Sequence, residues 1–266
     1  MSLSPGSDRV KEIARLQQKE ARYEAGLFLL EGPQGLKELV DFPELVHEVF
    51  VTEAAAERYS AELAGLAKAG VSIEQVNSRV MEKLSDTKTP QGVISVVHHI
   101  DIELDEVIAS GPKLVVLLDR IQDPGNAGTI LRAADAAGAD AIIFSAGSVD
   151  PYNSKVVRST AGSLLHVPFV VSCDLNQAIT KLQDAGVQVF ATDMKGVAVN
   201  ELPQTRLSQP TAWLFGNEAQ GIGQSLMAAC DEKVSIPIYG SAESLNLATA
   251  ASICLYSSAI AAKGNH

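Results

Sequence analysis

The sequence predicts an α/β protein in two parts, and three observations carry that expectation. Short apolar runs recur from Leu27 to Ile238, most ended by a polar turn and followed by helix-like sequence. The run Lys113–Asp119 is apolar almost throughout, as suits a parallel strand buried on both faces. Near the middle, the acidic stretch Asp101–Glu106 and then Ser110-Gly111-Pro112 interrupt the alternation and mark a boundary. The expected domains are therefore 1–107 and 113–266.

The elements follow in order. Val10, Ile13 and Leu16 keep helical spacing, while Arg9, Lys11, Arg15, Lys19 and Arg22 face outwards. That helix is either a solvated face or an edge that contacts phosphates. A strand Leu27–Leu30, a turn at Glu31-Gly32-Pro33 and a helix to about Asp41 come next. Val46–Val51 reads as a strand, Ala54–Ala69 as one helix stopped by Gly70, and Val71–Val76 as a strand. Ser78–Leu84 is a short helix, and Thr89-Pro90-Gln91-Gly92 turns the chain into the strand Val93–Val97.

After Asp119 a loop is expected through Asp123-Pro124-Gly125-Asn126-Ala127-Gly128, then a helix from Thr129 closed by Gly138, then the strand Ala141–Phe144. Glycines ahead of a helix can cradle an anion, but the loop fits neither a dinucleotide fingerprint nor a P-loop. Arg132, about one turn into the helix, is a site candidate or a surface ion-pair partner. Trp213–Phe215 and Val234–Ile238 read as strands. Their turns, Gly216-Asn217-Glu218-Ala219-Gln220-Gly221 and Tyr239–Ser244, should converge on one pocket, since ligands bind beyond the carboxyl ends of such strands. Ser244 is the expected N-cap of a final helix, small or apolar on nearly every face and so buried.

Composition bounds the function. The chain has 266 residues, 46% hydrophobic, and a net charge of −11. Residues 41–106 alone hold 13 acidic and 5 basic residues, whereas residues 1–22 are net basic and residues 111–266 only mildly acidic. A polyanionic partner must therefore be held by local patches, not by the overall field. No run approaches ~18 apolar residues and no signal core opens the chain, so a soluble cytoplasmic protein is expected. Cys173, Cys230 and Cys254 are far apart and read as reduced core residues. His47, His98, His99, His166 and His266 have no metal-ligand spacing, and no metal site is expected.

Taken together, Asp123–Gly138, Leu214–Ile222 and Ile236–Ala248 resemble, in order, the three motifs of the SpoU/TrmH RNA 2′-O-ribose methyltransferases. Residues 8–97, with Phe28-Leu29-Leu30-Glu31-Gly32 and Thr89-Pro90-Gln91-Gly92-Val93, resemble that family's N-terminal substrate-binding domain, which is L30e-like. The resemblance implies a C-terminal α/β trefoil-knot methyltransferase domain with a parallel sheet, after a small N-terminal α/β domain. It further implies S-adenosylmethionine as cofactor, rRNA or tRNA as substrate, and a homodimer formed through the C-terminal domain. By position in the motifs, Gly216, Ile236 and Leu245 would touch the cofactor, with Leu214 and Leu247 nearby. Asn126, Arg132, Glu218, Ser244 and Asn246 would form the reaction face. An arginine stays protonated, so Arg132 would orient the ribose and stabilise a developing alkoxide or adjacent phosphate. The segment Pro151–Gly162 also resembles the family, which makes Asn153, Lys155 and Arg158 candidate RNA contacts, though a plain helix start accounts for them too. Two alternatives stay open: a nicotinamide-dependent dehydrogenase, disfavoured by the missing glycine fingerprint, and a catalytically inactive RNA-binding module of the same fold.

Overall fold

The computed structural model describes residues 3–264, so His266 lies outside the described residues. The chain forms two compact units. One runs through Ile100 and takes in Tyr152–Leu165; the other holds Asp101–Pro151 and the chain from His166 onward.

The first unit is built on a four-stranded sheet of β1 (Leu27–Glu31), β2 (Val46–Val51), β3 (Ser72–Gln75) and β4 (Val93–His98), in the order β1-β4-β2-β3. β4 runs antiparallel to both neighbours, and β2 and β3 are parallel. Phe50, Ile94 and Val96 pack under Val10, Ile13, Leu16, Val80, Met81 and Leu84 from the flanking helices. Two expected helices are each two. The N-terminal one divides into Asp8–Arg15 and Lys19–Ala25, because Arg22 folds inward and donates to the carbonyls of Leu16 and Gln17, both at 3.0 Å. The Ala54–Ala69 helix breaks at Tyr59 into Glu53–Arg58 and Ser60–Lys68.

Residues 152–165, expected to belong with residues 113–266, cluster here for a visible reason. Tyr152 is wholly buried, stacks on His99 at 4.0 Å between ring centroids, lies 4.8 Å from Phe28, and its hydroxyl accepts from the Ile100 N–H at 2.7 Å. Aromatic burial of this kind outweighs neighbourhood in the sequence.

The second unit is a six-stranded parallel sheet of β5 (Leu114–Leu118), β6 (Ala141–Ser145), β7 (Phe169–Cys173), β8 (Gln188–Ala198), β9 (Thr211–Phe215) and β10 (Glu232–Ser235). Its order is β10-β8-β9-β5-β6-β7, and all five pairings are parallel. Every residue of β5, β6 and β9 is buried, as continuous apolarity requires. β10 is shorter than the run Val234–Ile238 because Pro237 has no N–H for the ladder. Helix Leu104–Ala109 belongs to this unit, with Leu104 and Val107 packed among Ile179 and Leu182, so the division falls at Ile100 and not at 107–113.

Two helix starts place the site. The helix Pro124–Ala137 begins five residues before the expected Thr129: Asp123 caps it by accepting from the Asn126 N–H at 2.7 Å, and Pro124 suits the first helical position. Pro124-Gly125-Asn126 is therefore a first helical turn, not a glycine cradle. The helix ends at Gly138, whose φ of +75° is costly for any side chain. The final helix is Leu247–Lys263, and its N-cap is Asn246, not Ser244; Asn246 Oδ1 accepts from the N–H groups of Ala248 (2.9 Å) and Thr249 (3.3 Å). This helix packs against Pro124–Ala137, and the buried Trp213 Nε1 donates to Ser258 Oγ at 2.9 Å. Only one face is buried, through Ala248, Ala251, Cys254, Leu255, Ser258 and Ala261. The other exposes Tyr256 and Ile260 at 42% and 64%, so the helix is not covered all round. Among the described residues, no helix is long and apolar enough to cross a membrane, and no group of three or more His, Cys, Asp or Glu gathers as for a metal.

Candidate active site

β9 delivers Gly216 into a tight loop. Asn217 and Gly221 exchange backbone hydrogen bonds of 3.2 and 2.8 Å, and Asn217 Oδ1 accepts from the N–H groups of Ala219 and Gln220, both at 3.0 Å. A Cβ on Gly216 would lie 2.3 Å from the Gly221 carbonyl carbon. Glycine is required at 216 by the loop's own closure, so any larger residue distorts the loop before it meets a ligand.

The loop turns Glu218 toward the capped start of the helix Pro124–Ala137. Its Oε1 accepts from the Asp123 N–H at 3.1 Å and from Asn126 Nδ2 at 3.2 Å, and its Oε2 accepts from the Gln122 N–H at 3.2 Å. Partial burial opposes ionisation of this carboxyl, but the N–H groups of Glu218 itself, Asp123 and Gln122 and the Asn126 amide outweigh it and hold its pKa below the usual range. Asn126 Oδ1 in turn accepts from Asn246 Nδ2 at 2.9 Å. Glu218, Asn126 and Asn246 therefore form one chain in which the carboxylate fixes which end of each amide faces which neighbour. The chain joins a first helical turn, a loop and a helix cap that are far apart in sequence.

Two adjoining cavities open beyond the carboxyl ends of the strands. The first, about 450 Å³, is lined by Thr192–Met194, Val234–Ile238, Gly240, Ala242–Leu245 and Ala250. The second, about 370 Å³, is lined by Asn126, Thr192, Gly216–Glu218, Gly221, Ile222, Ser244–Leu247 and Ala250. They share Thr192, Ser244, Leu245 and Ala250.

Most of the expected site residues meet here. Ile236 lines the first cavity, Asn126, Gly216, Glu218, Asn246 and Leu247 the second, and Ser244 and Leu245 both. Leu214 lines neither; it is wholly buried in β9, and its carbonyl accepts from Thr192 Oγ1 at 3.0 Å. Arg132 is not brought to either cavity. It is exposed on the helix, six residues after Asn126, which places it about 120° around the axis from Asn126. The middle of β8 was missed. Thr192, Asp193 and Met194 line the first cavity, and the only sequence signal for them was their position after the apolar stretch Val187–Ala191.

The expected RNA contacts lie in the first unit and divide unevenly. Arg22 is 3% exposed and bound to carbonyls, which removes it from any phosphate-facing edge. Arg9 is paired with the buried Glu48, whose hydrogen bond and charge raise the arginine's pKa. Lys11 pairs with Asp8 at 3.1 Å, Arg15 with Glu24 at 3.6 Å, and Lys19 lies over the Tyr23 ring, all at the surface. Asn153 caps the helix Ser154–Thr160, and Arg158 faces Asp86 at 3.4 Å and Glu31 at 3.9 Å. Lys155 is exposed.

A parallel α/β unit with two adjoining cavities and an amide–carboxylate chain on their wall has room for two bound partners side by side, and its class is given by the proteins it resembles. Residues 113–256 match the SpoU rRNA Methylase family, and residues 7–95 match the MRM3-like substrate binding domain. The chain is 35% identical to the 23S rRNA (guanosine(2553)-2′-O)-methyltransferase RlmP of Bacillus subtilis over 95% of its own length and 96% of that protein's. It is 31% identical to the 23S rRNA (guanosine-2′-O-)-methyltransferase RlmB of Bordetella pertussis, over 81% and 89% of the two chains. Among solved structures, the AdoMet-bound rRNA methyltransferase of Sinorhizobium meliloti superposes with a TM-score of 0.84 at 31% identity, covering 97% and 96%. The SpoU methyltransferase AviRb of Streptomyces viridochromogenes, in complex with AdoMet, gives 0.80 at 31% identity, covering 95% and 97%. The chain belongs to the SpoU rRNA methylase family and has its fold, with an additional N-terminal domain.

Proposed function

We propose that the chain is an S-adenosylmethionine-dependent methyltransferase acting on the ribose 2′-hydroxyl of a guanosine in 23S rRNA. The observation that carries this reading is the pair of cavities joined at Ser244 and Leu245, one walled by Ile236, Ile238 and Leu245, the other holding the Glu218–Asn126–Asn246 chain. The first cavity fits the cofactor: its volume lies in the ~300–1,000 Å³ range of small-molecule sites, and its apolar walls suit a flat adenine among backbone polar groups. S-adenosylmethionine, when bound, supplies a methyl group already activated on its sulfonium.

The protein's part is to hold the 2′-oxygen in line and to help it lose a proton. Each amide nitrogen of Asn126 and Asn246 spends one N–H within the chain and keeps a second. Both residues line the second cavity, and in this reading their remaining donors stabilise negative charge as it develops on the 2′-oxygen. Glu218, with its lowered pKa, is a weak base; it orients Asn126 and does not take the proton. Ser244, on the shared wall, meets the ribose where the two cavities join. Arg132, exposed and outside both cavities, is not assigned to the reacting oxygen. Lys11, Lys19, Lys155 and Arg15 give the first unit its phosphate contacts, which an acidic chain must keep local. The protein pairs with a second copy through the second unit, where Tyr256 and Ile260, one helical turn apart, offer an exposed apolar strip. The threading of the segment after Ser244 through a loop, as the family resemblance implies, belongs to the same reading.

The test is to map 2′-O-methyl groups in 23S rRNA from cells with and without this gene, alongside methyl transfer to unmodified rRNA in vitro. One site lost in the mutant and restored in vitro is the expected result. An unchanged map with no transfer, despite cofactor binding, would make the chain an inactive RNA-binding member of the family. Sedimentation of wild type and Ile260→Glu tests the pairing: a wild-type monomer at micromolar concentration removes it.

A further inference from the structure

The second residue after β5 has a backbone conformation that side chains rarely adopt: Arg120 has a φ of +52°. What it gains there is a set of contacts to one loop. Its guanidinium folds back on its neighbour Asp119, itself 3% exposed, with Nε to Oδ1 at 3.0 Å and Nη2 to Oδ2 at 2.9 Å, while Nη1 donates to Gln220 Oε1 at 3.0 Å. Its carbonyl accepts from Asn217 Nδ2 at 2.7 Å, and its N–H donates to Ser145 Oγ at 2.7 Å. Asp119 Oδ2 also accepts from the Gly223 N–H at 3.3 Å. The loop that presents Glu218 is thus tied at Asn217, Gln220 and Gly223 to two consecutive residues at the end of β5.

We infer that Arg120 is a positioning residue: together with Asp119 it clamps loop 217–223 so that the Glu218 carboxylate meets the N–H groups of Gln122 and Asp123 and the Asn126 amide. The left-handed backbone turns the Arg120 carbonyl to Asn217 while the side chain reaches Gln220, so one residue holds both arms of the loop. A bidentate Asp119 pair holds the planar guanidinium in place, which a flexible point charge would not allow. The inference rests on the reading of Asn126, Glu218 and Asn246 as the reaction face.

Arg120→Gly separates the clamp from the fold, because glycine adopts φ +52° without strain but has no side chain to reach Gln220. The melting temperature should fall by no more than about 4 °C, because relief of the backbone strain offsets part of the loss of Asp119's partner. Amide hydrogen exchange in residues 217–223 should rise about tenfold or more while the rest of the second unit is unchanged. Single-turnover methyl transfer at saturating cofactor and RNA should fall by about tenfold or more, with cofactor affinity within about threefold, since loop 217–223 is absent from the first cavity's lining. Arg120→Lys should recover part of the rate, because a point charge can reach Asp119 but cannot bridge to Gln220 as a fork. Adding Gln220→Ala to Arg120→Gly should cost nothing further. Wild-type exchange in 217–223, a wild-type rate despite faster exchange, or a general rise in exchange with a melting temperature lower by more than about 4 °C would each overturn the assignment. The exchange measurement needs no RNA. If the wild-type enzyme transfers no methyl group, the proposed function fails while the loop dynamics still decide on the clamp.

Discussion

Asn246 has two jobs that a pair of substitutions can separate. Its Oδ1 caps the helix Leu247–Lys263, and its Nδ2 donates to Asn126 in the chain that ends at Glu218. Asn246→Ala loses both. An N-cap is worth about 1 kcal/mol, and the hydrogen bond to Asn126 about another 1 kcal/mol. For a unit of this size about 2 kcal/mol corresponds to a melting temperature lower by roughly 4–8 °C. Asn246→Asp keeps the cap, because aspartate caps as well as asparagine and its charge suits a helix N-terminus. It has no N–H, however, so the Asn126 carbonyl oxygen would face a carboxylate and the amide chain would break. Its melting temperature should fall by only about 2–4 °C, the share of the lost hydrogen bond to Asn126, while single-turnover methyl transfer falls by about 10²–10³, as when one charge-stabilising donor is removed. Thermal melts and rapid-quench transfer on the two variants are the assay. A wild-type rate in Asn246→Asp would refute the amide chain as the reaction face, and an unchanged melting temperature in Asn246→Ala would refute the cap.

Further outcomes are expected elsewhere. Leu245→Ala removes apolar wall from both cavities and should weaken S-adenosylmethionine binding about tenfold by calorimetry, equivalent to about 1.4 kcal/mol; unchanged affinity would put the cofactor elsewhere. Glu218 has a lowered folded-state pKa, so the stability it adds is fully present above its unfolded value of about 4.3 and is lost as pH falls through the folded one. The melting-temperature gap between wild type and Glu218→Gln should therefore be flat from about pH 6 to 8 and narrow only below about pH 4; a gap that changes near neutrality contradicts the assigned shift. Arg22→Ala should destabilise the first unit by about 1.5–3 kcal/mol, the range for charged hydrogen bonds, and leave the salt dependence of RNA binding unchanged. Lys11→Ala and Lys19→Ala should each lower that salt slope by about 0.7–0.9 without loss of stability, and an identical slope would make their helices a plain solvated face.

The sequence by itself determined four of the six strands of the second unit, and most of the reaction-face and cofactor candidates it named line the two cavities. Strands β5, β6 and β9 were legible because a buried parallel strand must be apolar throughout, and 113–119, 141–144 and 213–215 have no other stable use. Asn126, Glu218 and Asn246 were legible as motif residues, but their mutual hydrogen bonds were not, since 92 residues separate the first two and 120 separate Asn126 from Asn246. Where capping groups competed, local pattern misled. Ser244 and Asn246 are both good caps, and packing of Ala248, Ala251 and Cys254 against the core selected the second. The helix was read as starting at Thr129 because Pro and Gly look like a loop, yet Asp123 with Pro124 at the first position makes a helix start. Charge was the least legible. The same basic pattern placed Arg22 and Lys19 on one face, and only the tertiary fold sent Arg22 inward to bind the carbonyls of Leu16 and Gln17. Residues 152–165 made the same point on a larger scale. Nothing in their sequence names the unit they join, and the burial of Tyr152 between Phe28 and His99 decided it, because the gain from covering an aromatic ring depends on which surface meets it in three dimensions.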